Sequence, residues 1–269
     1  MSPSESSGVD SQQMYMETSR DIVLEARNIG KSFDGKTLLN QLDFLVEKGK
    51  TTTLVGPGGS GKSVLMKILA LTIPPDSGKV LYFNTDVTKL KAKELQQVRE
   101  QMGFLFQNYA LFDSLNVEDN ISFFMRRKRE HTKAEIKEKV ANLLELVRLP
   151  GIEHLRPDQL SGGMKKRVGM ARALIHQPEI LFLDEPVAGL DPVTSKAIIK
   201  LIKNLQEVFH CTTIMVSNEL ACTYALSDNL AILFGGAIYK IGRLEEMQQT
   251  DDAVVRQFLE GKKDGPIKY

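Results

Sequence analysis

Thr51-Thr-Thr-Leu-Val55 runs directly into Gly56-Pro-Gly-Gly-Ser-Gly61-Lys62-Ser63, which continues into Val64-Leu-Met-Lys-Ile-Leu69. The first five residues, three of them β-branched threonines, read as a strand, and the stretch from Ser63 carries a helical pattern. The glycines between them let the backbone curl so that successive N–H groups face one point. The start of the following helix adds a favourable dipole for an anion there. The spacing fits G-x-x-x-x-G-K-[ST], in which Lys62 can reach the β- and γ-phosphates of a nucleotide and the Ser63 hydroxyl can ligate Mg²⁺. A glycine turn that only opens a helix is a poorer account of this strand, loop and helix order.

Outward from this loop, Ile22–Ile29, Leu42–Val46, Gly78–Phe83 and Gly103–Phe106 read as further strands, with Asp34-Gly35 as a turn. From Val117 to Val147 the spacing of Ile136, Val140, Leu143, Leu144 and Val147 predicts a helical insert. Strand and helix patterns then alternate: Ile180–Leu183, Ile198–Val208, Thr212–Val216, Glu219–Leu226 and Leu230–Phe234. That alternation predicts an α/β fold with a mainly parallel core sheet. Ile180-Leu-Phe-Leu183 ends on Asp184-Glu185, so a buried strand delivers two carboxylates. Asp184 can hold the Mg²⁺ shell, and Glu185 can activate an attacking water as general base. A third element, Leu160-Ser161-Gly162-Gly163-Met164, opens another helical run and is a second anion-binding N-terminus. Its economical reading is that it completes the nucleotide site of a partner subunit.

With these three elements in place, the chain from about Val23 to Arg243 resembles an ABC-transporter nucleotide-binding domain. The motifs follow the family's order: an aromatic at Phe33, Walker A at Gly56–Ser63, a Q-loop at Gln107, the LSGG signature at Leu160–Gly163, Walker B at Ile180–Glu185 and a D-loop ending at Asp191. The resemblance implies a P-loop NTPase of ABC type, with an antiparallel β subdomain beside the parallel core. It implies an ATP site built from Phe33, Gly56, Pro57, Gly58, Gly59, Ser60, Gly61, Lys62, Ser63, Val64 and Gln107. Phe33 would stack on adenine, and Ser63, Gln107 and Asp184 would surround Mg²⁺. Ser161, Gly162 and Gly163 would meet the γ-phosphate across a head-to-tail dimer of two copies. Glu185, Lys62 and the residue at the switch position would carry catalysis. The family places a histidine at that switch position, and this chain has Asn218. An amide can donate to the γ-phosphate but is shorter and never charged. Slow hydrolysis, partly supported by Asn218, is therefore expected.

Within the family, Phe104-Leu-Phe-Gln107-Asn-Tyr-Ala-Leu-Phe112-Asp113-Ser114-Leu115 is similar to the Q-loop of the Mla-type ATPases, which drive phospholipid movement with MCE-domain proteins. The Met and basic pair in Ser161-Gly-Gly-Met-Lys-Lys-Arg167 and the tail Gln257-Phe-Leu-Glu-Gly-Lys-Lys-Asp264-Gly265-Pro266 point to the same branch. The implied partners are a second copy, two transmembrane permease subunits and an MCE-domain lipid-binding protein. The implied location is the cytoplasm, peripherally on the cytoplasmic face of the inner membrane. An ATPase of another ABC branch and a nucleotide-gated switch of low turnover are the rival readings. A soluble ABC ATPase of translation or DNA repair would need a tandem domain or a long coiled-coil insertion, and the chain shows neither pattern.

Composition sets the outer bounds. The chain has 269 residues, 42% of them apolar, and 35 basic against 34 acidic residues give a formal charge of +1. Ordinary globular usage excludes wholesale disorder and disulfide-rich classes. A near-neutral balance argues against nucleic acid as a partner. No stretch approaches the roughly 18 apolar residues of a membrane span. Residues 1–20 read as a disordered polar tail, 21–250 as the ATPase domain with a helical insert at about 108–160, and 251–269 as an extension contacting a partner, with Phe258 and Leu259 as its docking pair. Cys211 and Cys222 read as a reduced, packed pair. Arg126-Arg-Lys-Arg129 is the one dense basic cluster, most simply a solvated face.

Overall fold

The computed structural model describes residues 21–128 and 130–267. The expected tail at residues 1–20 and Arg129 of the basic cluster lie outside these residues.

Strand β1 (Ile22–Phe33) and β2 (Lys36–Glu47) form a hairpin turning at Asp34-Gly35. Both turn residues have positive φ, +49° and +74°, the backbone that tight hairpins require. β4 (Ser77–Tyr82) pairs with the other edge of β1, and β5 (Thr85–Asp86) closes a four-stranded antiparallel sheet in the order β2-β1-β4-β5. Both hairpin strands run further than the sequence pattern suggests, because polar residues such as Lys31, Ser32, Lys36 and Thr37 continue the ladder.

The second sheet holds six strands in the order β10-β9-β3-β8-β7-β6. β3 (Thr51–Val55), β6 (Met102–Leu105), β7 (Ile180–Asp184), β8 (Thr212–Val216) and β9 (Asn229–Phe234) are parallel. β10 (Ala237–Arg243) adds an antiparallel edge that the sequence pattern did not reveal. Every residue of β3 and β8 is buried, as expected of strands covered on both faces. The pleat sorts their side chains between two cores. Ile180, Phe182, Ile214 and Val216 join Leu24, Phe44, Leu65 and Ile68 under the antiparallel sheet. Leu181, Leu183 and Met215 join Val140, Leu144, Val168, Ile198 and Ile202 on the opposite face.

Helix α1 (Lys62–Leu69) follows β3, and α2 (Ala92–Arg99) precedes β6. The expected helical stretch is two helices, α3 (Val117–Lys128) and α4 (Lys133–Leu146). α4 opens with a reciprocal cap in which the Thr132 hydroxyl accepts from the Glu135 N–H and the Glu135 carboxylate accepts from the Thr132 N–H at 2.7 Å. α5 (Gly162–Leu174) and α6 (Pro192–Phe209) pack on the same core, and α7 (Leu220–Leu226) follows β8. Cys211 and Cys222 are buried and unbridged.

Past β10 come α8 (Leu244–Gln249) and α9 (Ala253–Leu259). The apolar pair Phe258 and Leu259, expected to dock on a partner, packs instead on Val55, Leu230, Ile232 and Met247 of its own chain. Tyr224 Oη donates to the Leu259 carbonyl at 2.7 Å. Beyond α9 the chain folds back on the Gln257 side chain. Its Oε1 accepts from the Ile267 N–H at 2.7 Å, and its Nε2 donates to the Ile267 carbonyl at 2.9 Å. Buried Ile267 is thus held as though paired to a strand.

Candidate nucleotide site

Three adjacent strands, β3, β8 and β7, end at the same edge of the parallel sheet, the usual place for a ligand in such sheets. β3 delivers the loop Gly56–Ser63. A Cβ on Gly56 would sit 2.3 Å from the Leu233 carbonyl oxygen, so only glycine lets the loop pass β9. Gly61 has φ +103°, caps helix α1 and lies under Leu38 and Leu39 of the antiparallel sheet. The two sheets meet again where the Asn40 N–H donates to the Gly236 carbonyl at 2.9 Å.

Lys62 is buried and folded over its own loop. Its Nζ donates to the carbonyls of Gly56 at 2.7 Å and Pro57 at 3.0 Å. Burial holds the ammonium below the usual lysine range, opposed by the nearby Glu185 and Asp184. Ser63 is exposed at the start of α1.

β7 delivers Asp184 and Glu185. Burial raises both carboxyls above the usual carboxylate range. Asp184 Oδ1 is buried and has no hydrogen-bond partner among the described residues, as is Ser60 Oγ. An orphaned buried carboxylate oxygen beside a phosphate-binding loop suits a hard divalent cation such as Mg²⁺, which takes oxygen ligands. Glu185 adopts φ +47°, and its N–H donates to the Val216 carbonyl at 2.9 Å, so the strand ends in a sharp turn. Asn218, two residues past β8, meets its carboxylate twice. Nδ2 donates to Oε1 at 2.5 Å and the backbone N–H donates to Oε2 at 3.2 Å.

Gln107 lies exposed after β6, and Phe33 is half exposed at the end of β1, with Lys31 Nζ 5.5 Å from its ring centroid. Ser161 caps α5, its hydroxyl accepting from the Met164 N–H at 3.3 Å. Gly162 and Gly163 are tight: a Cβ on Gly163 would come within 2.8 Å of the Thr194 methyl. Asp191 caps α6, Oδ1 accepting from the Val193 and Thr194 N–H groups at 3.0 Å each; the Thr194 side chain, and then these backbone bonds, hold its carboxyl below the usual range. The structure therefore gathers the Walker A loop, Asp184, Glu185 and Asn218 at one edge. Phe33, Ser161 and Asp191 stand on other elements.

The sequence reading missed Lys166 of α5, which is wholly buried with Nζ 3.0 Å from both the Gln107 and Glu185 carbonyl oxygens. A signal existed: Lys166 shares helical spacing with Met170, Ala173 and Leu174, so it lies on the apolar face of α5.

A family model described as ABC transporter matches residues 39–188. The chain is 34% identical over 247 residues to the intermembrane phospholipid transport system ATP-binding protein MlaF of Haemophilus influenzae, covering 92% of this chain and 94% of that protein. It is 37% identical over 246 residues to the probable ribonucleotide transport ATP-binding protein mkl of Mycobacterium leprae, covering 91% of this chain and 71% of that protein. Among solved structures, a dimeric post-hydrolysis ATP-binding cassette bound to ADP and Pi superposes with a TM-score of 0.75 at 26% identity, over 82% of this chain and 98% of that one. The structure of cbiO1 from Clostridium perfringens, part of the ABC transporter complex cbiONQ, superposes with a TM-score of 0.78 at 28% identity, over 88% of this chain and 94% of that one. By its matched residues, relatives and fold, the chain belongs to the ABC transporter ATPases, ATP hydrolases coupled to transport.

Proposed function

We propose that the chain powers phospholipid transport as the ATPase of an Mla/MCE-type system. In this reading two copies close head to tail on ATP. Ser161, Gly162 and Gly163 of one copy then meet the γ-phosphate bound at Gly56–Ser63 of the other. Phe33 stacks on the adenine, and Lys62 leaves the Gly56 and Pro57 carbonyls for the phosphates. Ser63, Gln107 and Asp184 hold Mg²⁺, which when bound offsets phosphate charge. Glu185 takes the proton of the attacking water at Oε2, the oxygen with the longer 3.2 Å contact. Asp191 bridges the dimer from the start of α6. Two permease subunits engage the Q-loop face, and an MCE-domain protein passes lipid beyond them. The chain would then sit peripherally on the cytoplasmic face of an inner membrane. No helix among the described residues is long and apolar enough to cross a membrane.

The observation that carries the proposal is the near full-length similarity to MlaF proteins, in a chain whose Walker A loop, Asp184 and Glu185 end at one edge of the parallel sheet. The test is ATP-dependent phospholipid transfer between vesicles by the purified complex, with Glu185→Gln as the inactive control. Transfer that continues with Glu185→Gln, or ATP turnover stimulated by ribonucleotide and not by phospholipid, would reject it. The second outcome would favour the branch named for the mycobacterial relatives.

The Asn218 contact also favours a second reading, a nucleotide-gated switch of low turnover. A neutral amide replaces an ionisable ring beside the base. Steady-state phosphate release separates it from a transport motor.

A further inference from the structure

Helix α5 carries two buried cations, Lys166 and Arg172. Burying an ammonium is costly unless its protons find acceptors. Lys166 Nζ finds two main-chain carbonyls, those of Gln107 and Glu185, each at 3.0 Å, and lies 5.0 Å from the Tyr109 ring centroid. One turn and a half further along, Arg172 donates to the carbonyls of Tyr109, at 3.0 Å, and of Ala110. The backbone gripped by these cations is unusual: Tyr109, Ala110 and Glu185 have φ of +61°, +47° and +47°. Residues other than glycine persist in that region only where the surroundings hold them, at about 1–3 kcal/mol each. Lys166 thus ties, at a single nitrogen, the main chain of the Q-loop glutamine to that of Glu185, which follows β7.

We propose that Lys166 is a positioning residue for hydrolysis: it fixes the left-handed turn at Glu185 and makes that placement depend on the placement of Gln107. A movement of the Q-loop reaches the carboxylate through one ammonium, without passing through bound nucleotide. The proposal rests on the reading of Glu185 as general base.

The test uses the full-length K166M variant, close to lysine in shape but without donors. Turnover falls about 10-fold to 100-fold, as expected when a reacting group is displaced by about an ångström, while KM for ATP stays within about twofold. K166R, which keeps charged donors, recovers most of the loss. In hydrogen exchange of K166M, the amides of residues 107–110 and those of Glu185 and Ala188 lose protection together, and those of 56–63 do not. Turnover of K166M within about twofold of the parent overturns the proposal. So does an equal loss of ATP affinity and turnover, or lost protection in only one of the two segments. If K166M does not fold, K166Q is measured by the same criteria, and parental turnover in K166Q overturns the proposal. The Glu185→Gln variant separates the two readings. Hydrolysis retained there defeats the role of Glu185 itself, whereas an inert Glu185→Gln beside an unimpaired K166M defeats only the role of Lys166.

Discussion

Asn218 donates to both carboxylate oxygens of Glu185, through its side-chain amide at 2.5 Å and its backbone N–H at 3.2 Å. The short side chain is therefore already engaged with the carboxylate, and a longer imidazole at this position could reach past it. Asn218→His is expected to hydrolyse ATP faster than the parent, by up to about 10²-fold if a transition-state donor is restored. Steady-state phosphate release by the purified complex checks this, and an equal or slower rate contradicts it.

Burial raises the carboxyls of Asp184 and Glu185. A folded pKa above the unfolded one means that ionisation opposes folding. The stability tied to the protonated form is fully present below the ordinary carboxylate range and is lost as pH rises through the raised folded value. Asp184→Asn removes one such charge. Without nucleotide and divalent metal, the variant should melt above the parent at about pH 7.5, with the difference shrinking towards about pH 4. Thermal melts at the two pH values measure it, and a gain that grows on acidification would be the wrong sign.

Gly56→Ala places a methyl group 2.3 Å from a backbone carbonyl of β9, which cannot yield as a side chain would. A cost of about 1–3 kcal/mol is expected, with the Walker A loop displaced and nucleotide binding lost. Urea unfolding and a fluorescent-nucleotide titration report the two effects. Unchanged affinity would show that the loop passes β9 less closely than described.

Gln257→Ala strips both main-chain groups of Ile267 of their partner. Local opening of the segment after α9 should become easier by about 1–3 kcal/mol. Trypsin should then cut faster after Lys262 and Lys263, while nucleotide affinity is unchanged. Equal cleavage rates in parent and variant would mean that other contacts hold the segment.

How far this molecule could be read before folding depends on how local each feature is. Gly56–Ser63 and Ile180–Glu185 announce themselves because strand, turn and charge are consecutive. The alternation after Ile180 was enough for the parallel sheet. β10 escaped notice because its exposed edge breaks the apolar alternation with Tyr239, Lys240 and Arg243. The departure at Asn218 was visible, but its grip on Glu185 depends on β7 and β8 lying side by side, with Asp184 opposite Val216. Lys166 hid within a basic run, where charge suggests solvent, although its helical spacing pointed inward. The pair Phe258 and Leu259 was rightly seen as apolar, but the surface it covers is formed by β3 and β9, far away in sequence.

The position of β3 has a consequence for biosynthesis. This strand carries the Walker A loop, yet its two neighbours in the sheet are β8 and β9. Just before it, the Gly49 N–H bonds the Thr212 hydroxyl across 163 residues of chain. Such distant pairings form slowly, since a long loop must close before any contact rewards it. A ribosome-bound chain that has emerged only as far as Glu185 holds every residue of the Walker A and Walker B motifs, but not β8, the strand that belongs between them. The sheet edge that gathers both motifs is therefore complete only once β8 and β9 have been made.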